Sequence, residues 1–122
     1  KDVRELQLAS GAIRAGISIL LREAEIQMDS IHEVLLAGAF GNFIRRSNAR
    51  RIGLLPPLPR AKIQFIGNAA SIGAKAVLLS REFRTVADEI AAKARHVDLS
   101  SSTDFQMEFG MAMMFPEEEL AD

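Results

Sequence analysis

Ile31-His32-Glu33-Val34-Leu35-Leu36-Ala37-Gly38-Ala39-Phe40-Gly41-Asn42 is the stretch from which the architecture can be read. Residues 31–37 form a short apolar run, the pattern of a buried strand in a parallel sheet. The run breaks into glycine at 38 and 41, which predicts a turn. A second segment repeats the arrangement. Residues 62–66 predict a strand, which ends in Gly67-Asn68 and leads into a helical pattern over residues 69–80. Strands alternating with helices predict an α/β fold with a parallel sheet covered on both faces.

The remaining elements follow from periodicity. Residues 3–25 predict a long amphipathic helix with Leu6, Ala9, Ile13, Ile17, Leu20 and Ala24 turned inward. Arg14, Ser18, Arg22 and Glu25 mark its polar face, and Asp2 with Glu5 predicts a capping box at its start. Gly11 and Gly16 each cost about 1 kcal/mol relative to alanine inside a helix, so they predict close packing against a neighbouring backbone. A short helix is expected after Ser47 as N-cap, stopped by Gly53 and followed by a connector stiffened by Pro56, Pro57 and Pro59. On the helix over residues 69–80, Ala70, Gly73 and Ala74 make one side small. A regular helix over residues 81–95 has Phe83, Val86, Ala87, Ile90, Ala91 and Ala94 on one face. Residues 96–99 are expected to add a short third strand. Ser102 or Thr103 is expected to cap a last helix containing Phe105, Phe109, Ala112, Met113 and Phe115, stopped by Pro116. The small sheet is thus flanked by about five helices. Residues 1–116 form a single subdomain, and residues 117–122 a loose acidic tail.

Composition narrows the function. A net charge of -1 supplies no field for nucleic acid or anionic lipid, so neither is expected as a partner. No apolar run approaches the ~20 residues of a membrane-spanning helix, and nothing argues for export, so a cytoplasmic location is expected. Without cysteine the chain cannot itself hold a disulfide, a thiolate metal site or a cysteine-bound iron–sulfur cluster. His32 and His96 are isolated and do not make a zinc site, so no metal ligands are assigned. The chain starts at Lys1, inside a helical pattern and without an initiator methionine, and so reads as a piece of a longer protein.

The candidate ligand positions are the two strand exits: Gly38, Ala39, Phe40, Gly41 and Asn42 first, then Gly67 and Asn68. In open α/β sheets ligands bind at the carboxyl ends of strands. Glycine there lets a flat ring or a phosphate approach main chain without meeting a Cβ. The first N–H groups of the following helix favour an anion. The same glycines also serve a tight strand-to-helix turn with no ligand, and spacing alone leaves both readings open. Neither stretch is Gly-x-Gly-x-x-Gly, and there is no P-loop.

Other residues carry two readings as well. Arg45, Arg46, Arg50 and Arg51 suit nucleotide phosphates or an acidic partner, or else a solvated helix face. Met107, Met111, Met113 and Met114 suit a soft metal or sticky interface, or else packing in the core or on an absent lobe. Ser100-Ser101-Ser102 reads as a loop leading to a cap, because no histidine–carboxylate pair accompanies it.

Several strings then become recognisable together: Asp2-Val3-Arg4-Glu5-Leu6-Gln7-Leu8-Ala9, Gly11-Ala12-Ile13-Arg14-Ala15-Gly16-Ile17, and Leu36-Ala37-Gly38-Ala39-Phe40-Gly41-Asn42. Arg51-Ile52-Gly53-Leu54-Leu55-Pro56, Gly67-Asn68-Ala69-Ala70 and the late Phe105 to Phe115-Pro116 complete the series. In this order they resemble the C-terminal domain of reductive activators of corrinoid proteins, within the superfamily of acetate and sugar kinases, Hsp70 and actin (ASKHA). The resemblance covers nearly the whole chain. It implies a partial actin-like, ribonuclease H-like ATPase lobe in which residues 38–42 hold the adenosine-motif position. Residues 67–74 would begin a connecting helix that packs closely where two lobes hinge.

The resemblance further implies ATP with magnesium as cofactor, and a 2Fe-2S cluster only in an N-terminal domain outside this chain. It implies a corrinoid protein or corrinoid methyltransferase as partner, reduced from Co(II) to Co(I). No aspartate here matches the superfamily's metal-associated carboxylate, so no catalytic residue is assigned and the chain alone is not expected to hydrolyse ATP. Two alternatives stand beside it: a non-enzymatic interaction module that homodimerises or docks a protein, and a subdomain of a sugar or acetate kinase relative.

Overall fold

A computed structural model describes residues 1–38, 44–58 and 62–116. The expected acidic tail, residues 117–122, lies outside them. In chain order the described elements are α1 (Asp2–Glu23), a 3-10 turn (Met28–Ser30), β1 (Val34–Ala37), α2 (Arg46–Arg51), β2 (Ile63–Gly67), α3 (Ala69–Leu79), α4 (Arg81–Lys93) and α5 (Thr103–Ala112). β1 and β2 pair in a small parallel sheet, so the α/β expectation holds with five α-helices among the described residues. Contacts divide the chain into two compact units. One comprises Lys1–Val34, Ile44–Gln64 and Asp98–Asp122, and the other Leu35–Phe43 and Phe65–Val97.

The first unit holds every buried hydrophobic side chain among the described residues: Ala15, Ile19, Ala49, Leu55, Leu58 and Ile63. Its centre is the packing of α1 on α5. A Cβ at Gly11 would stand 3.2 Å from the Met113 backbone, and one at Gly16 would stand 3.3 Å from Leu99 Cδ1. The two helix-interior glycines therefore let the chain approach closely, as their cost in propensity foretold. The rest of the expected α1 face is rotated. Ser10, Gly11, Ala15, Gly16 and Ile19 are buried, whereas Ile13 and Leu20 are 46% and 49% exposed. Small residues win the contact because only they allow α5 near enough to exclude water.

The polar face is rotated with it. Arg14 Nη1 donates to the carbonyls of Ala112 at 3.1 Å and Met114 at 2.6 Å, which the end of α5 leaves without helical partners. Arg22 pairs with Asp104 at 3.4 Å and with Glu108, binding the first turns of α5 to the far end of α1. Phe105 and Phe109 stack on the same helix with ring centroids 5.8 Å apart.

Helix ends show where local chemistry won and lost. The Asp2–Glu5 capping box does not form: the helix begins one residue earlier, with Lys1 as N-cap and no side-chain cap. α1 ends in a Schellman arrangement, with Ile26 N–H on Leu21 O at 2.9 Å and Glu25 N–H on Arg22 O at 3.1 Å. This places Glu25 at φ 56, a left-handed conformation that costs a non-glycine residue about 1–2 kcal/mol. α2 is capped by Arg45 rather than Ser47, which falls inside its first turn. Gly53 stops it as expected, at φ 73, with its N–H on Arg50 O at 3.0 Å and Leu54 N–H on Ala49 O at 2.8 Å. Ser102 caps α5, its hydroxyl accepting from Phe105 N–H at 3.3 Å.

The expected third strand at residues 96–99 is absent from the described structure. Asp98 instead accepts from the Ser100 N–H at 2.9 Å and from the hydroxyls of Ser100 and Ser101 at 2.6 and 3.0 Å. These local bonds replace a ladder. The Ser100 hydroxyl, then Ser101, hold the exposed Asp98 carboxyl below its ordinary pKa. Any stability this adds is present at neutral pH and lost as pH falls through the lowered value. The methionine expectation holds for Met113, which meets Gly11, but Met107, Met111 and Met114 are exposed.

In the second unit Ser80 caps α4, accepting from Phe83 N–H at 3.3 Å. α3 and α4 contain no buried residue, and the face of α4 bearing Phe83, Val86 and Ile90 is exposed, Ile90 to 62%. β1 alternates half-buried with exposed positions rather than being covered on both faces.

Two substitutions test the helix stops. Gly53→Ala should lower stability by at least about 1 kcal/mol, because the left-handed φ is costly for alanine. Its Cβ would also stand 2.8 Å from Arg14 Cδ. Glu25→Gly should raise stability by up to about 1 kcal/mol by removing the same strain. Urea denaturation midpoints of the two variants should therefore move in opposite directions.

Candidate functional site

The second unit contains both strand exits. Gly38 follows β1 and adopts φ 99; Gly67 ends β2 and adopts φ 66. Both values lie where L side chains are strained, so glycine is needed at each for its backbone alone. The Gly38 N–H donates to Gly67 O at 2.7 Å, which fixes the two exits side by side at the carboxyl ends of parallel strands. A Cβ built on either glycine meets nothing within 4 Å among the described residues. The result is a patch of bare main chain on one rim of the sheet.

Asn68 comes next and is the N-cap of α3. Its Oδ1 accepts from Ser71 N–H at 3.1 Å, and its side chain is exposed. The cap occupies one of the helix's first donors, and the other early N–H groups remain at the start of α3. Of the positions expected to meet a ligand, the structure brings Gly38, Gly67 and Asn68 together. Ala39, Phe40, Gly41 and Asn42 lie outside the described residues.

The small side of α3 was expected to pack closely. A Cβ at Gly73 meets nothing within 4 Å among the described residues, and Ala70 and Ala74 are exposed. No group of three or more His, Asp or Glu that could hold a metal occurs among the described residues. No helix among them is long and apolar enough to cross a membrane.

The arginine cluster does not behave as one site. Arg46 is exposed although its Nη1 donates to Ile63 O at 3.0 Å, whereas Arg50 is only 4% exposed. Sequence reasoning missed Arg14, which it placed on the polar face of α1. Gly11, less than one turn earlier, was the available signal, since a bare position beside a long donor invites another chain segment to end there.

Glycine-bearing strand exits on one rim of a parallel sheet are shared by several ligand-binding α/β folds, and the comparisons place this chain among the ASKHA domains. A family model described as the C-terminal domain of RACo, the ASKHA domain, matches residues 1–122, and the chain belongs to that family. It is 38% identical over 115 residues to the corrinoid activation enzyme RamQ of Eubacterium limosum, covering 94% of this chain and 19% of the relative. It is 33% identical over 107 residues to the [Co(II) methylated amine-specific corrinoid protein] reductase of Methanosarcina barkeri, covering 86% and 20%. A solved reductive activator for corrinoid, iron–sulfur protein superposes with a TM-score of 0.83 at 35% identity, over 93% of this chain and 18% of that one. The chain thus spans about a fifth of the length of the curated relatives it matches.

Asn68→Ala should loosen the start of α3 and cost about 1 kcal/mol, as loss of an N-cap does. Amide exchange at Ser71 should accelerate, while Asn68→Asp, which keeps the acceptor, should leave it near the wild-type rate.

Proposed function

We propose that this chain is the nucleotide-binding C-terminal subdomain of an ATP-dependent iron–sulfur activator. Its parent would reduce the Co(II) corrinoid of a partner protein or corrinoid methyltransferase to Co(I). The observation that carries the reading is the Gly38–Gly67 pair: two left-handed glycines joined by a 2.7 Å hydrogen bond, with no side chain above them among the described residues. A flat heterocycle and its ribose need such a floor, because a single Cβ would lift the ring off the main chain.

The proposed roles divide by residue. Gly38 and Gly67 provide the floor, and Ala39 and Gly41 present no branched side chain to the ligand. Phe40 stacks on the base, and Asn42 hydrogen-bonds the base or ribose. Asn68 holds the first turn of α3 so that its remaining N–H groups face the bound nucleotide. The bare main chain fits the base and sugar, whereas carboxylates suited to magnesium do not gather among the described residues. Magnesium would arrive on the phosphates and supply charge neutralisation there.

The electron's source lies elsewhere, because a chain without cysteine cannot hold a cluster through its own thiolates. The reduction adds one electron to cobalt and breaks no bond in this chain. Nucleotide binding would act by favouring the state that docks on the corrinoid partner, a coupling between two sites. The names of the relatives, which speak of corrinoid activation and corrinoid protein reductase, support that partner. The parent is read as cytoplasmic.

Mg-ATP titration of the full-length protein tests the placement. Gly38→Val should weaken binding by at least about tenfold, equivalent to about 1.4 kcal/mol, with the melting temperature of the variant measured in parallel. Unchanged affinity in a folded Gly38→Val protein would remove the rim from the site. The exposed apolar face of α4 supports a second reading as an interaction module. That reading gains if mass rises with concentration while Mg-ATP produces no heat.

A further inference from the structure

The first unit carries an open-sided cavity of about 520 Å³ that the nucleotide reading does not use. All of its lining residues belong to that unit. Its walls are mixed, polar and apolar in about equal measure, with Met28, Met111, Met114 and Phe115 on the apolar side. Two guanidinium groups, Arg14 and Arg50, also line it, and no carboxylate appears among its lining residues. We propose that this cavity is a binding site for a small amphipathic organic anion: an apolar or aromatic body carrying one carboxylate or a comparable anionic group.

The size suits such a molecule, since ligand pockets run from roughly 300 to 1,000 Å³. The charge argument rests on Arg14. Its two bonds to the carbonyls of Ala112 and Met114 both leave from Nη1, so among the described residues they commit one nitrogen of a five-donor group. The carbonyls hold the guanidinium in place, and the donors on Nε and Nη2 keep the capacity to bind a carboxylate. Arg50 carries a guanidinium and is 4% exposed, so it adds positive potential where water screens it least. The thioethers of Met28, Met111 and Met114 adapt to rings of different shape. A bare inorganic ion would leave the methionine and phenylalanine surfaces without a partner, and a neutral apolar molecule would leave the Nε and Nη2 donors of Arg14 unused.

The test uses the full-length protein with methionine methyl groups labelled and assigned for NMR. The probe is 3-phenylpropanoate, compared with its neutral amide, 3-phenylpropanamide. Saturable ring-current shifts are expected at the methyls of Met28, Met111 and Met114, and none at Met107, which does not line the cavity. The acid should bind at least about tenfold more tightly than the amide, the scale of one charge-assisted hydrogen bond. Arg14→Gln should abolish that preference. Met28→Trp, which fills the cavity without touching Arg14's bonds, should abolish the shifts in a protein with unchanged melting temperature. Equal binding of acid and amide overturns the proposal, as do shifts extending equally to Met107, no shifts at millimolar probe, or displacement by inorganic phosphate. Displacement by Mg-ATP would also overturn it, by assigning the cavity to the nucleotide.

Discussion

Arg14 joins parts of the chain that are about a hundred residues apart, and the first unit is organised around that junction. Its guanidinium ties α1 to the carbonyls at the end of α5, and its stem passes over Gly53, where α2 stops. The junction exists only because three positions carry no obstructing side chain. Gly11 admits the Met113 backbone, Gly16 admits Leu99, and Gly53 leaves space for the arginine stem beside Pro116. Glycine is unfavourable in a helix interior by about 1 kcal/mol. The compensating gain is close packing of α1 on α5 and a set of satisfied helix-end carbonyls that would otherwise need water.

The second unit follows a different rule. It has two helices without a buried residue and an α4 whose apolar face is exposed. Its order comes from local devices: Asn68 capping α3, Ser80 capping α4, and the hydrogen bond between Gly38 and Gly67. Arg84 adds to this by donating to the carbonyls of Val77 and Leu78 at the end of α3. A rim of bare main chain is therefore supported by caps and inter-strand hydrogen bonding rather than by buried helices.

Much of the architecture was legible in the residues. The apolar run before Gly38, the strand before Gly67, the stop at Gly53 and the serine cap on α5 are each set by chemistry within a few positions. What failed, failed where a distant segment intervened or where two local options competed. Asp98 turned toward Ser100 and Ser101 instead of joining a ladder. Leu6, Ile13 and Leu20 had the right spacing for a core-facing stripe, yet the small residues beside them took the contact. The strand exits were readable as a candidate site, but the bond between them was not, because it links residues far apart in sequence.

By itself the sequence determined the family, most of the order of elements and the positions where only glycine serves, since these depend on residue identity and on torsions local to each residue. Tertiary structure alone decided which face of α1 is buried, that Arg14 closes α5, and that Gly38 and Gly67 stand side by side. Those outcomes depend on which backbones can approach one another, and that is a property of two segments together. No periodicity within either segment encodes it.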